Sequence, residues 1–266
     1  MPNYVRNEIH VTGDRKMLEQ LMETVKGEKS AFSFDCIIPM PKSMNIQSSS
    51  DEEKAILLIL KGGMAHTSLI PKQYRDSVRK AASSANETLK NMKVYDFTDD
   101  YGLDNYMSDD DPAHANIASI MSGESPVTKA DFIALGAIAI DNYICHGSRD
   151  WYDWCSANWG TKWDAGNAGV ALAEDRLSIR FNTAWALPEP VLAKLVEMFP
   201  ALTFEGRWAD EDIGSNCGTW FGINGKMEVS FLDYGEDSIR LACDIWDYDP
   251  EEYLSEEDDE DGVDDE

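Results

Sequence analysis

Basic residues are scarce in this chain. Its 266 residues hold 23 lysines and arginines against 50 aspartates and glutamates, a net charge of −27 at pH 7. Residues 94–128 contain no lysine or arginine. A field of that sign repels nucleic acid and membrane surfaces and draws basic protein patches, so direct binding to either is not expected. Cysteine is sparse too. The five (Cys36, Cys145, Cys155, Cys217, Cys243) are odd in number with no close pair, which argues against a disulfide framework or a C-x-x-C metal site. Reduced, mostly buried thiols are expected. The longest apolar run, 132–140, is far shorter than the roughly 20 residues of a membrane span. No basic segment followed by an apolar stretch opens the chain, which predicts a soluble, cytoplasmic protein. G-x-S-x-G, P-loop and H-E-x-x-H signatures are all missing. His10, His66, His114 and His146 form no recognisable set. The expectation is a non-enzymatic protein with no cofactor and no metal.

What is present reads as an α+β fold. Residues 4–12 alternate, with Val5, Asn7, Ile9 and Val11 on one face, as a half-buried strand does. Thr12-Gly13-Asp14 then starts a helix whose stripe is Met17, Leu18, Leu21, Met22 and Val25. Phe32, Phe34, Cys36 and Ile38 predict a second strand, ending at Pro39 and Pro41. The pattern recurs later. Residues 177–185 alternate, and Pro188 and Pro190 open a helix with Val191, Leu192, Leu195, Val196 and Phe199 inward. Leu202, Phe204 and Trp208 mark a further strand. Two β-α-β units predict the split arrangement of a ferredoxin-like core. Asn224-Gly225 predicts a hairpin between strands 217–223 and 227–231, and the alternation of Ile239, Leu241, Cys243 and Ile245 predicts a last strand.

The expected organisation is a first β-α-β unit over 1–42 and a mostly helical insertion over 43–150. The rest of the core, with extra antiparallel strands, occupies 151–248, and an acidic disordered tail occupies 249–266. Helices are predicted at 51–61, 72–92 and 128–145. The tail holds twelve acids and no base, leaving −15 for residues 1–248.

Four of the eight tryptophans fall in Trp151-Tyr-Asp-Trp-Cys-Ser-Ala-Asn-Trp-Gly-Thr-Lys-Trp-Asp164. Read with Thr183-Ala-Trp-Ala-Leu-Pro-Glu-Pro190 and Trp208-Ala-Asp-Glu-Asp-Ile-Gly214, this stretch resembles the YubB-like family of small ferredoxin-like proteins on phages and plasmids. The resemblance covers 1–41 and 151–223. It implies a ferredoxin-like fold, a mobile-element setting and a bacterial host, and it brings no reaction.

Two sets of residues are candidates for function. The first is acidic: Asp99, Asp100, Asp109, Asp110 and Asp111 in the insertion, then Asp210, Glu211 and Asp212. Carboxylates on a rigid scaffold can imitate duplex phosphates, which carry one charge per roughly 1.7 Å of axis. The expected function is therefore an inhibitor of the DNA-mimic or counter-defence type, binding a basic nucleic-acid-handling host protein. Asp210, Glu211 and Asp212 read equally as a cation site or a hydrogen-bonded loop cap. The second set is Trp151, Trp154, Trp159, Lys162 and Trp163. It reads either as a core brace or as a stacking platform for a small ligand or single-stranded nucleic acid.

Overall fold

A computed structural model describes residues 3–61, 68–94, 120 and 128–254. The chain divides into two compact units, one from residues 1–40 with 155–266 and the other from 41–154.

The first unit is built on a six-stranded sheet. β1 (Tyr4–Thr12) leads into α1 (Arg15–Thr24), where the Asp14 side chain accepts from the backbone N–H groups of Lys16 and Met17. β2 (Gly166–Leu172) and β3 (Arg176–Ala184) follow. α7 (Glu189–Met198) then leads to β4 (Thr203–Asp210), and the hairpin of β5 (Cys217–Ile223) and β6 (Lys226–Phe231) completes the sheet. The strand order is β2-β3-β1-β4-β5-β6, with every neighbouring pair antiparallel. β1 lies between β3 and β4, so the two β-α-β units are interleaved as a ferredoxin-like fold requires. The β5–β6 turn has positive φ at both Asn224 (52°) and Gly225 (76°), which is why this dipeptide stands there.

One sheet face is the main core. Val5, Ile9 and Val11 of β1 sit beside Leu177, Ile179 and Phe181 of β3 and Phe204 and Trp208 of β4. Leu18 and Leu21 of α1, and Val191, Leu192, Leu195 and Val196 of α7, present their stripes to the interior, all fully buried. At roughly 1.5–3 kcal/mol for each large apolar side chain, this burial dominates the stability of the unit.

Three sequence expectations are corrected in this unit. Residues 32–38 are not a strand: Phe34–Cys36 is a 3₁₀ turn. The Asp164 carboxylate accepts from Ser33 Oγ and from the Phe34 N–H, both at 2.6 Å, and so takes a backbone donor that a sheet ladder would have used. Phe32 and Phe34 both turn inward, with ring centroids 4.8 and 5.6 Å from Phe181. The second strand of the first β-α-β unit is therefore β2, beyond the insertion. Residues 239–245 are not a strand either. They belong to α8 (Glu236–Trp246), whose Ile239, Ala242, Cys243 and Ile245 pack with Ala209, Ile213 and Cys217. The apolar spacing satisfies both periods, and burial against β4 and β5 selects the helix. Finally, the segment from 249 begins with a short helix, α9 (Pro250–Leu254), capped by Asp249 Oδ1 on the Glu251 N–H at 3.1 Å. The remainder, 255–266, lies outside the described residues.

The second unit is helical where described. It contains α2 (Ser50–Lys61), α3 (Arg75–Ala82), α4 (Ala85–Asn91), α5 (Lys129–His146) and the start of α6 (Trp151–Asn158). The expected helix over 72–92 breaks at Ser83-Ser84. The Ser84 backbone is non-helical (φ −136°, ψ 49°), and its side-chain oxygen lies 3.4 Å from that of Thr88. Ile56, Leu60, Val78, Leu89, Ile133 and Ile140 form the core. α2 and α5 approach closely at Gly136, where a β-carbon would come within 2.7 Å of the Ala55 backbone.

Candidate functional site

The second face of the sheet is polar and only partly covered. α8 closes one end of it. There Trp246 donates to Ala209 O at 3.1 Å, and the Arg6 guanidinium lies 4.3 Å from the Trp246 ring centre while donating to Ile245 O. Beyond α8 the strand register lays side chains out in rows across the sheet. One row runs Arg180 (β3), Glu8 (β1), Arg207 (β4), Thr219 (β5), Ser230 (β6). The next runs Ser178, His10, Glu205, Phe221, Glu228 through the same strands. His10, Glu205, Phe221 and Glu228 of the second row, Arg207, Thr219 and Ser230 of the first, and Arg176 border a cleft of about 610 Å³. That is within the range of small-ligand and side-chain pockets.

The first row is electrostatically closed. The Glu8 carboxylate is 4% exposed and takes Arg207 Nη2 at 2.6 Å and Arg180 Nε at 2.8 Å. Arg207 also pairs with Asp244 of α8. Burial opposes the charge on Arg207, while its hydrogen bonds to Glu8 and Asp244 raise its pKa, and the pairing wins. The second row is open. His10 Nδ1 lies 3.1 Å from Ser178 Oγ. Burial lowers the His10 pKa, and the positive charges of Arg176, Arg207 and Arg180 lower it further against Glu8, so the ring is neutral at pH 7. Glu205 and Glu228 have no hydrogen-bond or ion-pair partner among the described residues, and both are exposed. Between them stands Phe221, 41% exposed.

The predicted site residues fall as follows. Asp99, Asp100, Asp109, Asp110 and Asp111 lie outside the described residues. Asp210 is buried and serves as a loop cap. Its Oδ1 accepts from Asp212 N at 3.0 Å and Asn3 Nδ2 at 3.2 Å, and its Oδ2 accepts from Asn216 Nδ2 at 3.2 Å. Glu211 accepts from the Tyr4 N–H through its side chain at 3.1 Å. Asp212 is exposed. Among the described residues no group of three or more His, Cys, Asp or Glu side chains could hold a metal ion.

The tryptophans are divided. Trp154 and Trp159 are buried, at 5% and 4% exposure. Trp159 donates to Ile38 O at 2.9 Å and meets Phe34 edge-on, which is a core role. Trp151 and Trp163 are half-buried. Lys162 Nζ lies 5.1 Å from the Trp163 ring centre and 5.2 Å from that of Trp185, an exposed indole that the sequence reading did not single out. Trp185 has φ 68°, unusual for a bulky residue. Its carbonyl accepts from Asn216 Nδ2.

The second unit holds a buried acidic pair that the sequence did not betray. Glu52 and Asp150 are 1% and 0% exposed, and one oxygen of each, Glu52 Oε1 and Asp150 Oδ2, is buried with no donor among the described residues. Burial, reinforced by Asp150 and Asp153, pushes the Glu52 pKa up to about 9 against the opposing charge of Arg149. Asp150 Oδ1 caps α6 through Tyr152 N at 2.7 Å and Asp153 N at 3.0 Å. With its pKa raised to about 9, Glu52 holds a proton at neutral pH. Arg149 bridges Glu53 and Asp153.

No curated protein matches this chain. The crystal structure of api92 from Yersinia pseudotuberculosis aligns with it at 11% identity, over 87% of this chain and 99% of that one, with a TM-score of 0.40. A family model matches residues 158–263, from the end of α6 through every later element of the sheet unit. Over those residues the chain is similar to the family described as the ferredoxin-like domain in Api92-like protein.

Proposed function

We propose that this chain is a non-enzymatic binding protein whose acidic surface engages a basic, nucleic-acid-handling protein and competes with that partner's nucleic acid. The observation that carries this reading is where the folded acids sit. Residues 233–252 hold eight acids and one base, and α8 fixes much of this segment against the sheet. Carboxylates held there form a patterned surface, whereas a free acidic tail supplies only long-range steering that salt removes. Asp99, Asp100, Asp109, Asp110, Asp111 and the tail acids add to the net negative charge of the chain. The YubB-like resemblance of the sequence adds a phage or plasmid setting in a bacterial cytoplasm, where blocking a host nuclease or recombinase is of use; that step is analogy.

The alternative, a stacking platform built on Trp151, Trp154, Trp159, Lys162 and Trp163, has less support. Two of its rings are core residues, and its one lysine lies beside two indoles of this same chain.

The test is affinity capture from a bacterial lysate, with elution first by duplex DNA and then by steps of rising salt. The reading predicts one stoichiometric nucleic-acid-handling protein, released by the duplex. A smear of abundant basic proteins lost at low salt would sink it, because the acidity would then be a solubility device.

A further inference from the structure

We propose that Glu205, Phe221 and Glu228 form a receptor for a single cationic side chain, the guanidinium or ammonium of a basic polypeptide. The inference rests on the reading above and gives the partner a point of entry.

The three residues occupy directly paired positions on β4, β5 and β6. Side chains so paired are roughly 5 Å apart at their β-carbons, so the two carboxylates flank the ring at a span that one cation above it can bridge. A cation on an aromatic face is held by the ring quadrupole, and two carboxylates at the ring's edges add charge-assisted hydrogen bonds. The carboxylates are uncommitted. On the same face Glu8 and Asp244 are already matched to arginines, whereas Glu205 and Glu228 are matched to nothing among the described residues. The ring is open to solvent at 41% exposure, with Ile223 the next exposed apolar side chain along the same face of β5. The cleft's other charged groups place the cation at this end. Arg207 is neutralised by Glu8 and Asp244, and His10 is uncharged at neutral pH. Arg176 has no ion-pair partner among the described residues and stands on β3, two strands from Glu205. It repels a cation from the far wall.

The experiment is calorimetric titration of the full chain with a capped tri-arginine peptide at low salt, set beside a thymidine trinucleotide. The peptide binds and the trinucleotide does not. Phe221→Ala and the double change Glu205→Gln with Glu228→Gln each weaken the peptide by about tenfold, while Arg176→Ala tightens it. All four positions are exposed, so unchanged thermal melts separate lost binding from lost folding. If the sheet-face variants bind like the parent, and changing the tail acids Glu256, Glu257, Asp258, Asp259, Glu260 and Asp261 to their amides abolishes binding, the receptor is refuted while the acidic-surface function stands. If the peptide fails to bind any form, both fall. If the trinucleotide binds and Arg176→Ala abolishes it, the cleft is an anion site and the proposal is overturned.

Discussion

The Trp220 indole lies across Gly206 on the neighbouring strand, so closely that a β-carbon built on that glycine would come within 2.1 Å of its ring atoms. The relation belongs to a chequered pattern. Phe204, Gly206 and Trp208 of β4 pair in register with Gly222, Trp220 and Gly218 of β5, an aromatic ring facing a glycine each time. Glycine inside a strand weakens it in isolation; here it makes room for the ring opposite. Gly206→Ala is expected to destabilise the protein by about 2–3 kcal/mol through overpacking. Gly169→Ala, where a β-carbon would meet nothing within 4 Å, is expected to be nearly neutral. Denaturant unfolding of the two variants checks the contrast.

The Glu52–Asp150 pair makes stability depend on pH in a stated direction. Glu52 has a folded pKa of about 9 against 4.5. The folded state therefore binds more protons than the unfolded one between those values, and stability falls as pH rises. The slope approaches about 1.4 kcal/mol per pH unit for one group. The contribution is complete below about pH 4.5 and gone above about pH 9. Glu52→Gln keeps the shape and removes the titration. Melting temperatures from pH 5 to 9 should fall for the parent and flatten for the variant, which should be the more stable at pH 8.

Glu8 and Arg180 form one pair with two very different partners. Glu8 is buried and also holds Arg207, whereas the Arg180 side chain is 69% exposed. Glu8→Ala strands Arg207 with Asp244 alone and should cost about 1–3 kcal/mol, discounted for the exposure of the arginines. Arg180→Ala should cost under about 1 kcal/mol. Equal losses in chemical denaturation would contradict this division.

Thiol reactivity should follow burial. Cys145 is exposed, and Cys155, Cys217 and Cys243 are buried. Burial pushes the Cys217 and Cys243 thiols up, and the charges of Asp249 and Glu252 push Cys243 further. Iodoacetamide at pH 8, followed by peptide mass spectrometry, should label Cys145 within minutes. It should leave Cys217 and Cys243 intact until denaturant is added.

Some of this molecule could be read directly from periodicity. β1, α1, β3, α7, β4 and the hairpin at Asn224-Gly225 carry large apolar side chains at period 2 or 3.6, bounded by good caps and turns. β2 escaped because Gly166-Asn-Ala-Gly-Val-Ala-Leu172 offers only Val170 and Leu172 to alternate, too short a pattern to mark a strand. As the partner of β3 it can be small, since it lies at the sheet's edge. The candidate site escaped for another reason. Glu205, Phe221 and Glu228 belong to three strands, and neither their spacing nor their residue types form a motif. The expected acidic loop was found in sequence, but the structure uses its Asp210 and Glu211 to tie down backbone and amide groups.

The sequence alone determined the acidity, the α+β class and the elements β1, α1, β3, α7 and β4 of the ferredoxin-like core, because charge is additive and amphipathic periodicity is local. Tertiary structure decided the rest. Whether Ile239–Ile245 would be strand or helix turned on what lay beneath it at Ala209 and Cys217. Whether Phe32 and Phe34 would extend a sheet turned on a carboxylate at Asp164, 130 residues along the chain from Phe34. Which acids stay free turned on strand register, which hands Glu8 its two arginines and leaves Glu205 and Glu228 beside an open ring. Local pattern chooses elements, but contacts between distant residues choose partners, and a charge without a partner is visible only after the chain has folded.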